Sequence, residues 1–149
     1  PNDIEGLISK FLISIIEPMI NIYALRLLHG HHHNNDIMLL ASATNSVIVN
    51  PIAKRLGFEY VVASEVEIIE GVYSGKILGK PALGAGKLLK VKEWALQNDI
   101  DNFEDVTFYS DSINDFPLLE AVGIPKAVNP DDQLREISIK NNWEIIDLP

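Results

Sequence analysis

The stretch Phe108-Tyr-Ser-Asp-Ser-Ile-Asn-Asp-Phe-Pro-Leu-Leu119 places an apolar run directly before two aspartates that lie four residues apart. The run at residues 106–109 predicts a short buried strand, and the apolar pattern at residues 114–121 predicts a helix. Asp111 therefore falls at the turn from strand to helix. Because ligands of open α/β sheets gather at the carboxyl ends of the strands, the stretch predicts an α/β fold with a polar site there.

Oxygen ligands dominate this turn. Asp111 and Asp115 supply carboxylates and Asn114 supplies an amide oxygen, and these are the hard ligands that Mg²⁺ prefers. Water and a substrate phosphate would complete the coordination, so these three residues form a candidate magnesium site. The alternative is a turn in which an aspartate caps a helix, since Asp, Ser and Asn are ordinary capping residues.

Strand-like and helix-like runs alternate along the rest of the chain. Helices are predicted at residues 4–16, 18–33, 47–56, 87–97 and 131–140, strands at 37–41, 60–63, 126–128 and 143–146, and an antiparallel hairpin at 65–78. This alternation predicts a Rossmann-like, three-layer α/β domain with a mostly parallel sheet and a small β-hairpin insertion.

The composition narrows the class of function. A chain of 149 residues, 47% of them hydrophobic, can bury the core of one domain. Its formal net charge of −9 argues against a nucleic-acid partner. The absence of cysteine excludes thiolate chemistry and is compatible with a cytoplasmic location. Charged residues and a proline interrupt the apolar stretch at residues 7–28, which favours an amphipathic helix and no membrane partner.

Two further clusters carry candidate phosphate-binding residues. Ser42, Ala43, Thr44 and Asn45 follow a predicted strand, and they would present hydroxyl and backbone N–H donors where a helix begins. Lys87 opens another helix after a flexible loop, and its ammonium group would offset charge during phosphoryl transfer. The alternatives are simple helix capping for the first cluster and a solvated surface lysine for the second.

Three motifs together resemble those of the haloacid dehalogenase superfamily of phosphatases, and more closely its phosphoserine-phosphatase-like branch. Ala41-Ser-Ala-Thr-Asn45 resembles the second motif of that family, Gly84-Ala-Gly-Lys87 the third, and Ser110-Asp-Ser-Ile-Asn-Asp115 the fourth. The resemblance implies a Mg²⁺-dependent phosphomonoester hydrolase that acts on a small phosphorylated metabolite.

The resemblance also implies a role for each residue. Ser42 would bind the transferring phosphoryl group, and Lys87 would stabilise that group and orient the nucleophile. Asp111 would ligate Mg²⁺, Asp115 would support that ligation, and Asn114 would help to fix the loop. Lys87 and Asp115 would be the catalytic residues of this chain.

One motif of the family is absent. The first motif, Asp-x-Asp followed by Thr or Val, should end an upstream strand and supply the nucleophile. The only Asp-x-Asp is Asp99-Ile-Asp101, which lies in a polar connection after a predicted helix. Because covalent phosphoryl transfer needs a carboxylate aligned with phosphorus, we expect this chain to be catalytically incomplete. The alternative is a noncatalytic phosphate-binding or interaction module that requires a partner polypeptide.

Loss of that motif has a structural consequence. In the family its strand lies between those predicted here at residues 37–41 and 106–109, so two strand edges should be left unpaired. A homo-oligomer, a complementing segment or the apolar N-terminal residues could fill the gap. Residues 1–35 would then be part of a helical cap and residues 36–149 the α/β core without its first strand, as in a truncated gene product or a fragment.

Overall fold

The structure is a computed structural model that describes residues 2–149, and helices alternate with strands through most of it. The elements are α1 (Asn2–Phe11), a π-helical turn (Leu12–Ile16), α2 (Glu17–Met19), α3 (Ile22–His33), β1 (Leu39–Asn45), α4 (Ser46–Leu56), β2 (Tyr60–Ser64), β3 (Val66–Ile69), β4 (Val72–Ile77), α5 (Ala85–Gln97), β5 (Thr107–Ser110), a 3-10 turn (Ile113–Asp115), α6 (Phe116–Ala121), β6 (Ile124–Val128), α7 (Asp132–Asn141) and β7 (Glu144–Ile146). The chain forms two compact units, one ending at Gly79 and the other spanning Lys80–Pro149.

The first unit begins with helices instead of a strand. Ile20 adopts an extended backbone that separates α2 from α3, and the side chain of Asn21 caps α3 by accepting a hydrogen bond from the Tyr23 N–H at 2.8 Å. The apolar N-terminal residues form helices and do not pair with a strand edge. The expectation that they could fill the gap in the sheet was therefore wrong. In the described part of the chain no single helix is long and apolar enough to cross a bilayer, although the bent pair Gly6–Met19 and Ile22–His33 meets that criterion together.

Parallel pairing of β1 with β2 forms the sheet of the first unit. The register shifts between Ala41 and Asn45, so the last part of β1 bulges away from regular pairing. Asn45 caps α4 by accepting from the Ile48 N–H, and α4 packs against both strands. The helix ends at Gly57, whose φ of 80° is the left-handed conformation that favours glycine at a helix terminus.

An antiparallel hairpin completes the first unit. β3 and β4 pair only with each other among the described residues, and every residue of β4 is exposed. The turn uses Glu70 and Gly71, both with positive φ, as the Glu-Gly pair at this position had suggested. The predicted small β-hairpin is therefore confirmed.

The second unit is a parallel sheet in the order β5-β6-β7, with α6 and α7 packed on it. Its fully buried core consists of Leu119, Ala127 and Leu134, with Phe108 and Trp143 among the side chains packed around them. Leu119 and Leu134 come from the two helices and Ala127 and Phe108 from strands, so burial of their apolar surface fixes α6 and α7 on the sheet.

Parallel strands and packed helices confirm the predicted mixed α/β fold. Two predictions of element bounds were wrong. β1 spans Leu39–Asn45 instead of residues 37–41, and the helix predicted at residues 18–33 is divided by the extended backbone of Ile20. The side chain of Ser64 donates a hydrogen bond to the Ala43 carbonyl at 2.8 Å, and Asn45 pairs with Ser64, which keeps this polar segment extended. The division between a cap at residues 1–35 and a core at 36–149 stays a prediction.

Candidate functional site

Lys87 reaches its position because two glycines bring the start of α5 close to the preceding loop. Gly84, at φ 54°, ends the loop in a conformation that side chains rarely adopt. A Cβ atom on Gly86 would lie 2.3 Å from the Pro81 carbonyl oxygen, so only glycine fits there. The backbone approach that these glycines allow places Lys87 in the first turn of α5, facing inward.

The ammonium group of Lys87 is buried and paired. Its Nζ lies 2.5 Å from Oδ1 of Asp115, and both residues are under 10% exposed. Among the described residues this Oδ1 has no partner other than the Lys87 ammonium group, so the ion pair is what offsets its burial. Lys87 is therefore not the solvated surface lysine of the alternative interpretation.

Ser110 holds the other oxygen of the same carboxylate. Its hydroxyl donates to Oδ2 of Asp115 at 2.7 Å and accepts from the Ser112 N–H at 3.2 Å. Ser110 ends β5 and is itself buried. The Asp115 carboxylate thus has a fixed partner on each side, a cation on one oxygen and a hydroxyl on the other.

Asp111 faces solvent immediately after β5. It is exposed, as is Asn114, whereas Asp115 is buried. Ser112, and not either aspartate, caps the 3-10 turn by accepting from the Asn114 N–H at 3.3 Å. The expected position of Asp111, at the carboxyl end of a parallel strand, is what the structure shows.

Asp131 connects this turn to α7. Its Oδ1 accepts from the Leu134 N–H and its Oδ2 accepts from the Ile113 N–H, both at 2.8 Å. The hydrogen bond from Leu134, and to a smaller extent the one from Ile113, lower the pKa of Asp131 below its ordinary value of 3.8. The side chain therefore stays ionised through the neutral range.

The side chains at this turn can supply one direct ligand to a magnesium ion. Asp111 offers a free, exposed carboxylate, while the Asp115 carboxylate is engaged by Lys87 and Ser110. Among the residues that the structure describes, no three His, Asp or Glu side chains come together as a metal-binding group. Asp111 is thus the direct ligand candidate, Asn114 is exposed nearby in sequence, and further ligands would come from water or phosphate.

The first unit has its own polar edge at the ends of β1 and β2. Ser42 is half-buried and Ala43 and Thr44 are exposed within the bulged part of β1, and the Thr44 N–H donates to the Ser42 hydroxyl at 3.2 Å. The helix starts only after Asn45, so Ser42 and Thr44 are strand residues and not its caps. Ser46 is unsuited to an anion because its hydroxyl donates to the Glu65 carboxylate at 2.8 Å.

Sequence reasoning missed two residues of this arrangement. Ser110 lies in the motif at residues 110–115, but no role was predicted for it, although a small hydroxyl residue that ends a buried strand beside an aspartate is a usable signal. Asp131 follows Pro130 directly before a helix, a pattern that predicts the cap to Leu134. Nothing in that local pattern indicates the second hydrogen bond, because Ile113 lies 18 residues away.

Comparison with known protein families gives a match that covers most of this chain. The family described as haloacid dehalogenase-like hydrolase matches residues 1–120 of this chain. A histidinol-phosphatase of Neisseria meningitidis is 31% identical over 140 residues, which are 92% of this chain and 63% of the relative. A phosphoserine phosphatase of Mycobacterium tuberculosis is 36% identical over 108 residues, 72% of this chain and 35% of the relative. The chain thus spans between about a third and two-thirds of these two relatives.

Solved structures show the same fold. A crystal structure of a protein of unknown function from Bordetella pertussis aligns with a TM-score of 0.94 at 36% identity, covering 100% of this chain and 68% of that one. A substrate-bound phosphoserine phosphatase aligns with a TM-score of 0.64 at 21% identity, covering 83% of this chain and 56% of that one. The second similarity concerns the fold alone.

Proposed function

Because the chain belongs to the haloacid dehalogenase-like hydrolase family, we propose that it carries most of a Mg²⁺-dependent phosphomonoesterase site. The observation that supports this best is the buried Lys87–Asp115 ion pair beside the exposed Asp111 at the carboxyl end of β5. A small phosphorylated metabolite is the proposed ligand, in line with relatives named for histidinol phosphate and phosphoserine.

Lys87 would supply the positive charge that a phosphoryl group needs. A cation inside a protein acts in a medium of lower effective dielectric constant than water, so its attraction for a nearby phosphoryl oxygen is larger. Asp115 and Ser110 hold Lys87 in one orientation before any ligand arrives. No reorganisation of the ammonium group is then required when the ligand binds.

Asp111 would hold a magnesium ion through its exposed carboxylate, with Asn114 helping to fix the loop and Asp115 supporting from the buried side. When bound, Mg²⁺ would withdraw negative charge from the phosphoryl oxygens. The hydroxyls of Ser42 and Thr44, with the backbone N–H groups of Ala43 and Asn45, would donate hydrogen bonds to a phosphate. The exposure of this bulged segment leaves it accessible to such a ligand.

We propose that the chain as it stands binds its ligand without turning it over. Hydrolysis in this family needs an attacking carboxylate. Asp99 and Asp101 are exposed and lie between α5 and the start of β5, whereas Asp111 follows the other end of that strand. It is therefore unsuited to replace the missing first motif.

A second candidate function is a noncatalytic phosphate-binding or interaction module that requires another polypeptide. Within residues 2–149, β1 pairs with β2 alone and β5 with β6 alone, so each of these strands has one free edge. Free edges present unpaired N–H and C=O groups and are typical templates for a further strand. A complementing segment, or a second copy of the chain, would use them.

The test is Mg²⁺-dependent hydrolysis of p-nitrophenyl phosphate by the purified chain, with Asp111→Asn as the control for contaminating phosphatase. We expect no hydrolysis above that control, while calorimetry shows Mg²⁺ binding that Asp111→Asn weakens at least about tenfold. Hydrolysis that disappears in the variant would mean that another carboxylate is the nucleophile. Equal Mg²⁺ affinity of both proteins would refute the proposed metal site.

A further inference from the structure

One carboxylate of the second unit joins two segments that are distant in sequence. Asp131 accepts hydrogen bonds from Leu134 in α7 and from Ile113 in the turn after β5. Its own N–H donates to the Asp111 carbonyl oxygen at 2.8 Å. Asp131 is thereby bound to the residues on both sides of Ser112.

We infer that Asp131 is a positioning residue, which holds the loop of residues 111–115 in the shape that presents Asp111 to a ligand. Capping α7 requires only one of its oxygens. The second oxygen is directed to a backbone N–H that lies 18 residues earlier, and it serves no purpose for the helix. The role in ligand binding rests on the proposed function, whereas the role in holding the loop does not.

Fixing the backbone on both sides of Ser112 limits where the Asp111 carboxylate can point. Asp111 is exposed, and its side chain forms no ion pair or hydrogen bond with residues 2–149. Its orientation therefore depends on the backbone that carries it. A ligand group that is held in place beforehand loses less conformational freedom on binding. Removing the bond to Ile113 should therefore weaken Mg²⁺ binding although Asp131 would not touch the ion.

Two substitutions separate this role from helix capping. Asp131→Asn keeps an oxygen for the Leu134 N–H but places an NH₂ group, which only donates, toward the Ile113 N–H. Asp131→Ser keeps a good cap with a side chain that has only one oxygen. Asp132→Asn removes the same charge at the neighbouring position in α7 and is the matched control.

The experiment measures amide hydrogen exchange by NMR on the full chain together with Mg²⁺ affinity by calorimetry. In Asp131→Asn and Asp131→Ser we expect exchange at Ile113 to accelerate at least about tenfold while exchange at Leu134 changes by less than about threefold. Mg²⁺ affinity should fall about tenfold in both and stay unchanged in Asp132→Asn.

Each other outcome gives a definite answer. The inference would be overturned if exchange at Ile113 did not change. It would also be overturned if exchange accelerated equally at Ile113, Leu134 and the strands, because Asp131 would then act only as a helix cap. Faster exchange at Ile113 with unchanged Mg²⁺ affinity would also overturn it, because the loop would be released without effect on Asp111. If the unsubstituted chain binds no Mg²⁺, the proposed function loses its metal site, and the exchange data still decide whether Asp131 holds the loop.

Discussion

Lys87 and Asp115 show at the scale of single residues how a charge is kept inside this protein. Their side chains are 7% and 11% exposed, so each has lost most of its hydration. Removing one partner of such a pair leaves an uncompensated buried charge, which costs about 3–5 kcal/mol. We therefore expect Lys87→Met to lower the free energy of unfolding by about that amount, measured by urea denaturation followed by circular dichroism.

The matched control is Lys92→Met, which removes an exposed lysine from the same helix and should change stability by less than about 0.5 kcal/mol. The double variant Lys87→Met/Asp115→Leu removes both charges and should lose less stability than Lys87→Met alone. A loss below about 1 kcal/mol in Lys87→Met would show that Asp115 is not desolvated as the structure indicates.

The sequence predicted this site where its residues are adjacent in the chain. Asp111, Asn114 and Asp115 lie in or beside one turn, as their spacing predicted, and their role in holding Mg²⁺ stays a prediction. Ser110 lies five residues from Asp115, and its position at the end of a buried strand was a local signal for that contact. The second hydrogen bond of Asp131 could not be assigned in this way, because a pairing across 18 residues leaves no local pattern.

At the scale of elements, the end of α4 depends on contact with the histidine-rich end of α3. Gly57 has φ 80°, and a Cβ atom there would lie 2.6 Å from Nε2 of His32. We expect Gly57→Ala to lower the free energy of unfolding by about 1–2 kcal/mol through backbone strain. Displacement of His32 should lower it further. Thermal and urea unfolding of the variant measure the sum.

Gly71 provides the control for backbone strain alone. It has the same φ of 80° but no atom within 4 Å of the position a Cβ would occupy. Gly71→Ala should therefore lose less stability than Gly57→Ala, and the difference should disappear when both are made in a His32→Ala background. A difference that persists without the His32 ring would mean that another contact restricts Gly57.

The C-terminal end of the second unit is tied to α7 by a surface ion pair. Arg135 contacts Asp147 through both terminal nitrogens, one at 3.2 Å from Oδ2. The hydrogen bond from Arg135 lowers the pKa of Asp147 below its ordinary value of 3.8. The folded protein thus favours the ionised form of Asp147. The stabilising effect of this carboxylate is complete above about pH 5 and is lost as pH falls below 3.8.

Asp147→Asn should accordingly be slightly less stable than the unsubstituted protein at about pH 7, and the difference should be smaller at about pH 3. Because both side chains are exposed, the difference should be small and should shrink in high salt. Urea midpoints at the two pH values measure it. A difference that is larger in acid than at neutral pH would contradict the assigned direction of the pKa shift.

Elements were predictable from sequence where hydrophobic periodicity alone determines them. The hairpin and the helices of the second unit follow from apolar spacing and glycine positions. The extension of β1 through Ser42 and Thr44 was not predictable, because polar residues stay extended there only through tertiary bonds, such as that from Ser64 to the Ala43 carbonyl. The π-helical turn at Leu12–Ile16 interrupts a run that otherwise has the pattern of one helix.

At the scale of the whole molecule, net charge opposes the proposed ligand. A formal charge of −9 repels an anionic metabolite, so long-range attraction cannot bring a phosphate to this protein. The proposed ligand would then have to be held by local donors, by the cation of Lys87 and by the Mg²⁺ ion proposed at Asp111. This explains why a buried, prepositioned lysine is useful in an acidic chain.

The free edges of β1 and β5 determine the last prediction. We expect an extended apolar peptide that ends in Asp-x-Asp to pair with either edge and stabilise the folded chain. Because such a ligand binds only the folded state, a hundredfold excess over its Kd should add about 2.7 kcal/mol, which corresponds to a Tm increase of about 5–10 °C. The control is the same peptide with proline at alternate positions, which cannot donate the ladder hydrogen bonds. Equal Tm values with both peptides would show that neither edge accepts a strand, and the interaction-module alternative would lose its structural basis.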